Sequence, residues 1–179
     1  MKNSILSFFQ FLRSAFQFNR SVEKNNSADA KDEKYILPKI ELVYRGKRSC
    51  TEKMMNPDMI ATYFRKNWNS DTINLLEEFK LLLLDHAQHP IGIVELSKGG
   101  LTGTIVETRF VIATALLANC AKICVCHCHP SGNLAPSQSD ISITKKLREQ
   151  AKFMDITLLD HIIITDTQFY SLADHGELE

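Results

Sequence analysis

The sequence predicts a single layered α/β domain that follows a flexible N-terminal extension. A chain of 179 residues, 44% of them apolar, suits one domain with a substantial core. From Tyr35 onward, apolar residues recur alternately at strand-like and helix-like spacing, as in layered α/β proteins. Residues 1–34 differ in composition, so we place the extension at residues 1–34 and the domain at residues 35–179.

The extension has two parts. Residues 1–18 carry one apolar stripe at helical spacing, formed by Ile5, Phe8, Phe9, Leu12 and Phe16. Such a helix suits contact with a membrane surface or a partner, and the alternatives are a mobile segment or a helix folded onto the domain. Polar residues interrupt the apolar run, which disfavours a signal peptide. Residues 19–34 are polar and charged, as in a linker.

The domain contains helix and strand signals in alternation. Asn56 before Pro57 is a typical helix start, and glycines at positions 99, 100 and 103 predict a tight loop. The predicted strands cover residues 39–45, 79–84, 91–96, 123–129 and 157–165. The predicted helices begin at Pro57, with Met59, Ile60, Tyr63, Phe64 and Trp68 on one face, and cover residues 108–119 and 140–153.

Composition narrows the function classes. The 21 basic and 21 acidic side chains cancel, which argues against nucleic-acid binding through overall charge. The sequence contains no run of eighteen apolar residues, so it predicts no ordinary membrane-spanning helix. The cysteine count is odd, and four of the five cysteines lie between residues 120 and 128. This is unlike a secreted disulfide framework, so we expect a reducing compartment and a cytoplasmic location.

Two histidines at the end of a strand are the most informative feature. Alternate side chains of a strand share a face, so His127 and His129 lie together, with their backbones roughly 6.6–7 Å apart. Their rings are able to meet one ion, and Asp140 in the first turn of the next helix is a candidate third ligand for zinc. An ordinary strand pair is the alternative for the histidines, and a helix capping box is the alternative for Ser137 and Asp140.

The cysteines of the same strand face the other way. Cys124, Cys126 and Cys128 alternate with the histidines, so a metal shared by both sets would need ligands from two faces of one strand. We expect them to be small buried side chains that pack under a helix.

The spacing His127-x-His129-x7-Ser137-x2-Asp140 resembles the JAMM (MPN-type) metalloprotease motif. The segments HPSGNLAPSQSD, LLDHIIIT, FYSLADHG and GGLTGT together resemble the RadC family. The resemblance implies a mixed sheet flanked by helices, of the JAB/MPN and cytidine-deaminase-like type. It also implies that His127, His129 and Asp140 bind zinc and that Ser137 helps to hold the tetrahedral intermediate.

The resemblance further implies an upstream glutamate that polarises a water molecule. The family pattern Glu-x-Phe before an apolar strand matches Glu77, with Glu78 as the alternative if the register slips by one. Strand parity allows only one of the two to face the site. Glu95 is a third candidate, for which pairing with a lysine of the neighbouring strand is the alternative. We expect a structural role for His161.

Two features of the sequence depart from the family pattern. Cys128 stands between the histidines where the family usually has asparagine, and the segment before Tyr35 is too short for the helix-hairpin-helix region of full-length RadC proteins. The resemblance implies a zinc hydrolase that cleaves a peptide or isopeptide bond in a peptide or protein substrate. The alternative is a non-catalytic or DNA-associated accessory module, related to DNA repair, that retains the zinc site.

Overall fold

A computed structural model describes residues 51–99 and 106–178, which belong to one compact unit. The predicted strand at residues 39–45, the apolar stripe of residues 1–18 and most of the GGLTGT segment lie outside the described residues. The boundary between residues 34 and 35 therefore stays a prediction.

The described residues form three helices and five strands. The helices are α1 (Pro57–Lys66), α2 (Thr108–Leu117) and α3 (Gln138–Phe153). The strands are β1 (Glu78–Leu84), β2 (Pro90–Lys98), β3 (Lys122–Cys128), β4 (Thr157–Ile164) and β5 (Phe169–Ser171). No helix among these residues is long and apolar enough to cross a membrane.

The five strands form one mixed sheet in the order β2-β1-β3-β4-β5. β1 is antiparallel to both β2 and β3, whereas β3 and β4 run parallel and are connected through α3. β5, which the sequence did not predict, pairs antiparallel with the end of β4. The predicted α/β class with a mixed sheet and flanking helices is confirmed.

One face of the sheet packs against α1. Asn56 caps this helix by accepting the N–H of Met59 at 2.9 Å, and Pro57 occupies its first turn. Its apolar side packs on alternate residues of the strands, including Cys124, Cys126 and Cys128, all of which are buried. The prediction that these cysteines pack under a helix is confirmed, and the four cysteines of the described residues are free thiols.

The opposite face of the sheet carries the histidines and lies against α3, whose Thr144 contacts His161 of β4. α2 packs beside α3. α2 ends two residues earlier than predicted, because Asn119 adopts a left-handed conformation with φ of 48° that terminates the helix. One face of the sheet therefore carries the cysteines against α1, and the other face carries the imidazoles against α3.

Candidate metal centre

The two histidines of the motif lie side by side at the end of β3. His127 is the penultimate residue of the strand and His129 follows it. Their Nε2 atoms are 2.8 Å apart, and their ring centroids are 4.6 Å apart. His127 is buried at 1% exposure, whereas His129 lies partly open to solvent. The predicted sharing of one face therefore brings two imidazole nitrogens to one point.

Asp140 reaches the same point from the first turn of α3. Its Oδ1 lies 3.4 Å from Nε2 of His127, and its Oδ2 lies 4.0 Å from Nε2 of His129. One ligand atom from each of these three side chains can be chosen so that all lie within 4.8 Å of one another. Two imidazole nitrogens and a carboxylate oxygen are a donor set that zinc accepts.

The same carboxylate also caps α3. Ser137 and Asp140 form a complete capping box, in which the backbone N–H of Ser137 donates to Oδ2 at 2.7 Å. The capping box and the ligand position, which the sequence left as alternatives, coexist because Oδ1 faces His127 while Oδ2 accepts the N–H of Ser137.

The backbone sets the tautomer of His129. Its Nδ1 lies 2.5 Å from the carbonyl oxygen of Asn133. A carbonyl only accepts, so Nδ1 carries the proton and Nε2 presents a lone pair toward His127 and Asp140. A bare imidazole nitrogen beside a carboxylate and a second imidazole is an arrangement that a cation stabilises. The residues present therefore fit a metal ion.

Glu77 lies beside this cluster, just before β1. Phe79 pairs with His127 across the sheet and stacks on its ring, with centroids 6.1 Å apart and planes inclined by 9°. Glu77 has the same parity as Phe79 and lines a cleft of about 300 Å³ together with His129, Asn133 and Ser137. The structure thus places Glu77, His129 and Ser137 around one cleft, and His127 and Asp140 lie next to His129 beside it.

The alternative glutamate faces the other way. Glu78 is fully buried, and its carboxylate accepts from Lys98 Nζ at 2.8 Å and from the Thr72 hydroxyl at 2.7 Å, with Lys80 Nζ at 3.5 Å. Burial alone would raise the pKa of Glu78, but Lys98, Thr72 and Lys80 together bring it below its ordinary value. Glu78 is therefore an ionised partner of two lysines on the far face.

Glu95, the third candidate, lies on the neighbouring strand opposite Lys80. Its carboxylate is half exposed and lies 3.9 Å from Lys80 Nζ. The arrangement matches the cross-strand lysine pairing that the sequence offered as the alternative.

The comparison with known proteins decides the family. The model of the RadC-like JAB domain matches residues 54–177. The chain belongs to the RadC family. This membership and the observed sheet agree with the resemblance drawn from the motif and its flanking segments.

Three UPF0758 proteins illustrate the relationship. One from Flavobacterium johnsoniae is 45% identical over 100 residues, which cover 56% of this chain and 44% of the relative. One from Xanthomonas oryzae is 36% identical over 143 residues, which cover 78% of this chain and 62% of the relative. One from Syntrophotalea carbinolica is 43% identical over 127 residues, which cover 71% of this chain and 55% of the relative. The chain thus spans 44–62% of the length of these curated relatives.

The sequence did not predict the contacts of two supporting residues in this RadC-like JAB domain. His161 contacts Nδ1 of His127 through its Nε2 at 2.8 Å. The thiol of Cys128 donates to the carbonyl of Leu76 at 3.1 Å and accepts from the N–H of Glu78 at 3.4 Å, so it holds the backbone on both sides of Glu77. The alternation of cysteines and histidines predicted the face of Cys128 but not its partners.

Burial controls the charge of the inner imidazoles. It lowers the pKa of His127 to about 4, against the opposing effect of the Asp140 carboxylate, and lowers the pKa of His161 well below its ordinary value. Both rings are therefore neutral at pH 7, which is the form that binds a metal ion.

Proposed function

We propose that this RadC-like JAB domain is a zinc-dependent hydrolase that cleaves an amide bond in a peptide or isopeptide. The observation that carries the proposal is the convergence of His127, His129 and Asp140 beside a cleft that Glu77 and Ser137 also line. The donor set, the cleft and a nearby carboxylate are the components that metal-assisted hydrolysis requires.

His127, His129 and Asp140 would hold the ion. Bound zinc supplies a Lewis acid and lowers the pKa of a coordinated water toward about 7. Hydrogen bonds orient two of the three proposed ligands, because His129 bonds to the Asn133 carbonyl and Asp140 bonds to the start of α3. Such outer hydrogen bonds orient the donor atoms.

Glu77 is the proposed general base. Its carboxylate would take a proton from the attacking water and pass it to the departing amide nitrogen. The parity of β1 supports Glu77 over Glu78, since Phe79 stacks on His127 while Glu78 bonds to Lys98 on the opposite face.

Ser137 is the proposed donor to the developing oxyanion. Its Oγ accepts the backbone N–H of Asp140 at 3.2 Å. Accepting this bond leaves the single hydroxyl proton available for donation. A donor aimed at the developing negative charge stabilises the transition state more than the substrate.

The test compares Glu77→Gln with Glu95→Gln on a panel of peptide and isopeptide substrates, using the zinc-loaded full chain. We expect Glu77→Gln to keep its zinc and to lose about 10²–10⁴-fold in hydrolysis, the usual contribution of a positioned acid–base group. Glu95→Gln is the matched control, because Glu95 lies outside the cleft and pairs with Lys80. Equal activity of the two variants would overturn the role of Glu77.

The alternative function, an accessory module that retains the metal site without catalysis, predicts a different outcome. In that case the wild-type chain cleaves no substrate of the panel, while Glu77→Gln leaves zinc content and partner binding unchanged. Retention of a DNA fragment by both forms would identify the DNA-associated version of this alternative.

A further inference from the structure

A chain of buried hydrogen bonds runs from the back of the His127 ring to α3. Nδ1 of His127 lies 2.8 Å from Nε2 of His161, and Nδ1 of His161 lies 2.5 Å from the hydroxyl oxygen of Thr144. That hydroxyl lies 2.5 Å from the backbone carbonyl oxygen of Asp140. The three side chains are at most 1% exposed, so bulk water does not compete for these bonds.

The carbonyl at the end of this chain determines where each proton lies. The Asp140 carbonyl only accepts, so the hydroxyl of Thr144 donates to it. A threonine hydroxyl has one proton, and its oxygen therefore accepts at its other contact. The donor at that contact is Nδ1–H of His161.

The proton on His161 in turn determines the state of His127. A neutral imidazole that donates from Nδ1 has a lone pair on Nε2, so Nε2 of His161 accepts from Nδ1–H of His127. Nε2 of His127 is then bare and faces Nε2 of His129 at 2.8 Å and Oδ1 of Asp140 at 3.4 Å. The carbonyl of one proposed ligand thus selects the tautomer of another.

We propose that Thr144 and His161 are positioning residues that hold His127 in the Nδ1–H tautomer and so keep its Nε2 lone pair directed into the metal site. This chain of hydrogen bonds, called the relay below, also ties the end of β3, which carries His127, to the first turns of α3, which carry Asp140. This inference rests on the proposed metal site and not on catalysis. It extends the predicted structural role of His161 to control of the donor atom.

The first test measures zinc affinity of the full chain by competition with a chelator. Thr144→Val preserves shape and removes the hydroxyl, so His161 loses the acceptor that fixes its proton. We expect zinc affinity to fall about 10-fold, the lower end of the loss that follows removal of a direct partner of a metal-bound histidine, because Thr144 acts on His127 through His161. Thr144→Ser retains the hydroxyl and should restore affinity to within a few fold of the wild type.

Thr114→Val is the matched control. Thr114 is also 1% exposed, and its hydroxyl has no hydrogen-bond partner among the described residues. The substitution therefore alters an equally buried threonine outside the relay, and zinc affinity should not change. Equal affinity of Thr144→Val and the wild type, or equal weakening by both valine substitutions, would overturn the proposal.

The second test detects the tautomer directly and needs no bound metal. In the metal-free chain at pH 7.5, Nε2 of His129 competes with His161 for the proton of His127, because the two Nε2 atoms lie 2.8 Å apart. ¹⁵N NMR of the imidazoles should therefore show a larger fraction of His127 protonated on Nδ1 in the wild type and in Thr114→Val than in Thr144→Val. An equal fraction in Thr144→Val and the wild type would overturn the proposal.

The two readouts separate this inference from the proposed function. A wild-type chain that binds no zinc contradicts the metal site, and with it both the proposed function and this inference. Zinc binding with equal affinity in Thr144→Val and the wild type contradicts this inference alone. Failure to hydrolyse amides bears on Glu77 and leaves the relay unaffected.

Discussion

The backbone N–H of Ser137 donates to the Asp140 carboxylate at 2.7 Å, and the N–H of Asp140 donates to the Ser137 hydroxyl at 3.2 Å. The helix start therefore orients the carboxylate, whose other oxygen lies 3.4 Å from Nε2 of His127. The acid is stabilised at this position by the N-terminal end of α3 as well as by its hydrogen bond. The proposed third ligand is thus held in place by local backbone geometry.

Asp140→Ala should remove both roles of the carboxylate. We expect zinc content to fall from one ion per chain to near zero, measured by elemental analysis. Compared with the metal-free wild type, the metal-free variant should have a free energy of unfolding about 1 kcal/mol lower, because the capping box is broken. Cys126→Ala tests whether a cysteine sulfur binds the ion, and this variant should keep its zinc. Full zinc in Asp140→Ala, or its loss from Cys126→Ala, would contradict the ligand assignment.

Substitutions of Ser137 should separate helix capping from catalysis. Ser137→Ala should lower the free energy of unfolding by about 0.5–2 kcal/mol, while glycine at a cap position costs only a few tenths. Both variants lack the hydroxyl, so both should lose about 10²–10³-fold in amide hydrolysis. Denaturant unfolding and initial rates measure the two effects. Near-normal activity in Ser137→Gly would remove Ser137 from the chemistry.

Glu78→Gln should affect stability and its dependence on pH. The buried carboxylate pairs with Lys98, which is partly exposed, and with Lys80. We therefore expect the substitution to lower the free energy of unfolding by about 1–3 kcal/mol. The pKa of Glu78 lies below its ordinary value of 4.5 in the folded chain. Its ionised form therefore stabilises the fold above about pH 4.5, and this contribution is lost as the pH falls through the folded pKa.

Denaturant unfolding of the wild type and of Glu78→Gln between pH 3 and pH 7 measures this contribution. The difference between the two should be largest near pH 7 and should shrink on acidification. A difference that stays constant over this range would show that ionised Glu78 does not account for the stabilisation.

Cys128→Val should impair the placement of Glu77 while leaving the metal site intact. Valine fills the space but neither accepts the N–H of Glu78 nor donates to the carbonyl of Leu76. A small displacement of a catalytic group lowers rates up to about 10²-fold, so we expect hydrolysis about 10–100-fold slower with unchanged zinc content. Cys126→Val, on the same strand and face, is the matched control. Equal rates for both variants would contradict this role of the thiol.

Strand parity made much of the site predictable from the sequence. Alternation placed His127 and His129 on one face and Cys128 on the other, and Ser137 to Asp140 showed the spacing of a helix start. The same parity allowed only one of Glu77 and Glu78 to face the site, and the resemblance to the family pattern Glu-x-Phe selected Glu77. Glu77 lines the cleft, and Glu78 lies on the far face.

The remaining contacts depend on pairings between distant strands. His161 reaches His127 only because β4 pairs in parallel with β3, with Val125 opposite His161. Glu78 meets Lys98 only because of the register between β1 and β2. Local periodicity does not specify either register, since each is set by the packing of the whole sheet. β5 was not predicted, because its three residues are too few to show the alternation of a strand.

Zinc at His127, His129 and Asp140 is the feature on which the proposed hydrolysis depends. Anomalous X-ray diffraction at the zinc absorption edge, on crystals of the zinc-loaded chain, locates the ion directly. We expect one peak bonded to Nε2 of His127, Nε2 of His129 and a carboxylate oxygen of Asp140, with metal–ligand distances of about 2.0–2.2 Å. A peak bonded to a cysteine sulfur or lying away from these three side chains would contradict the assignment, as would no peak in crystals shown to contain zinc.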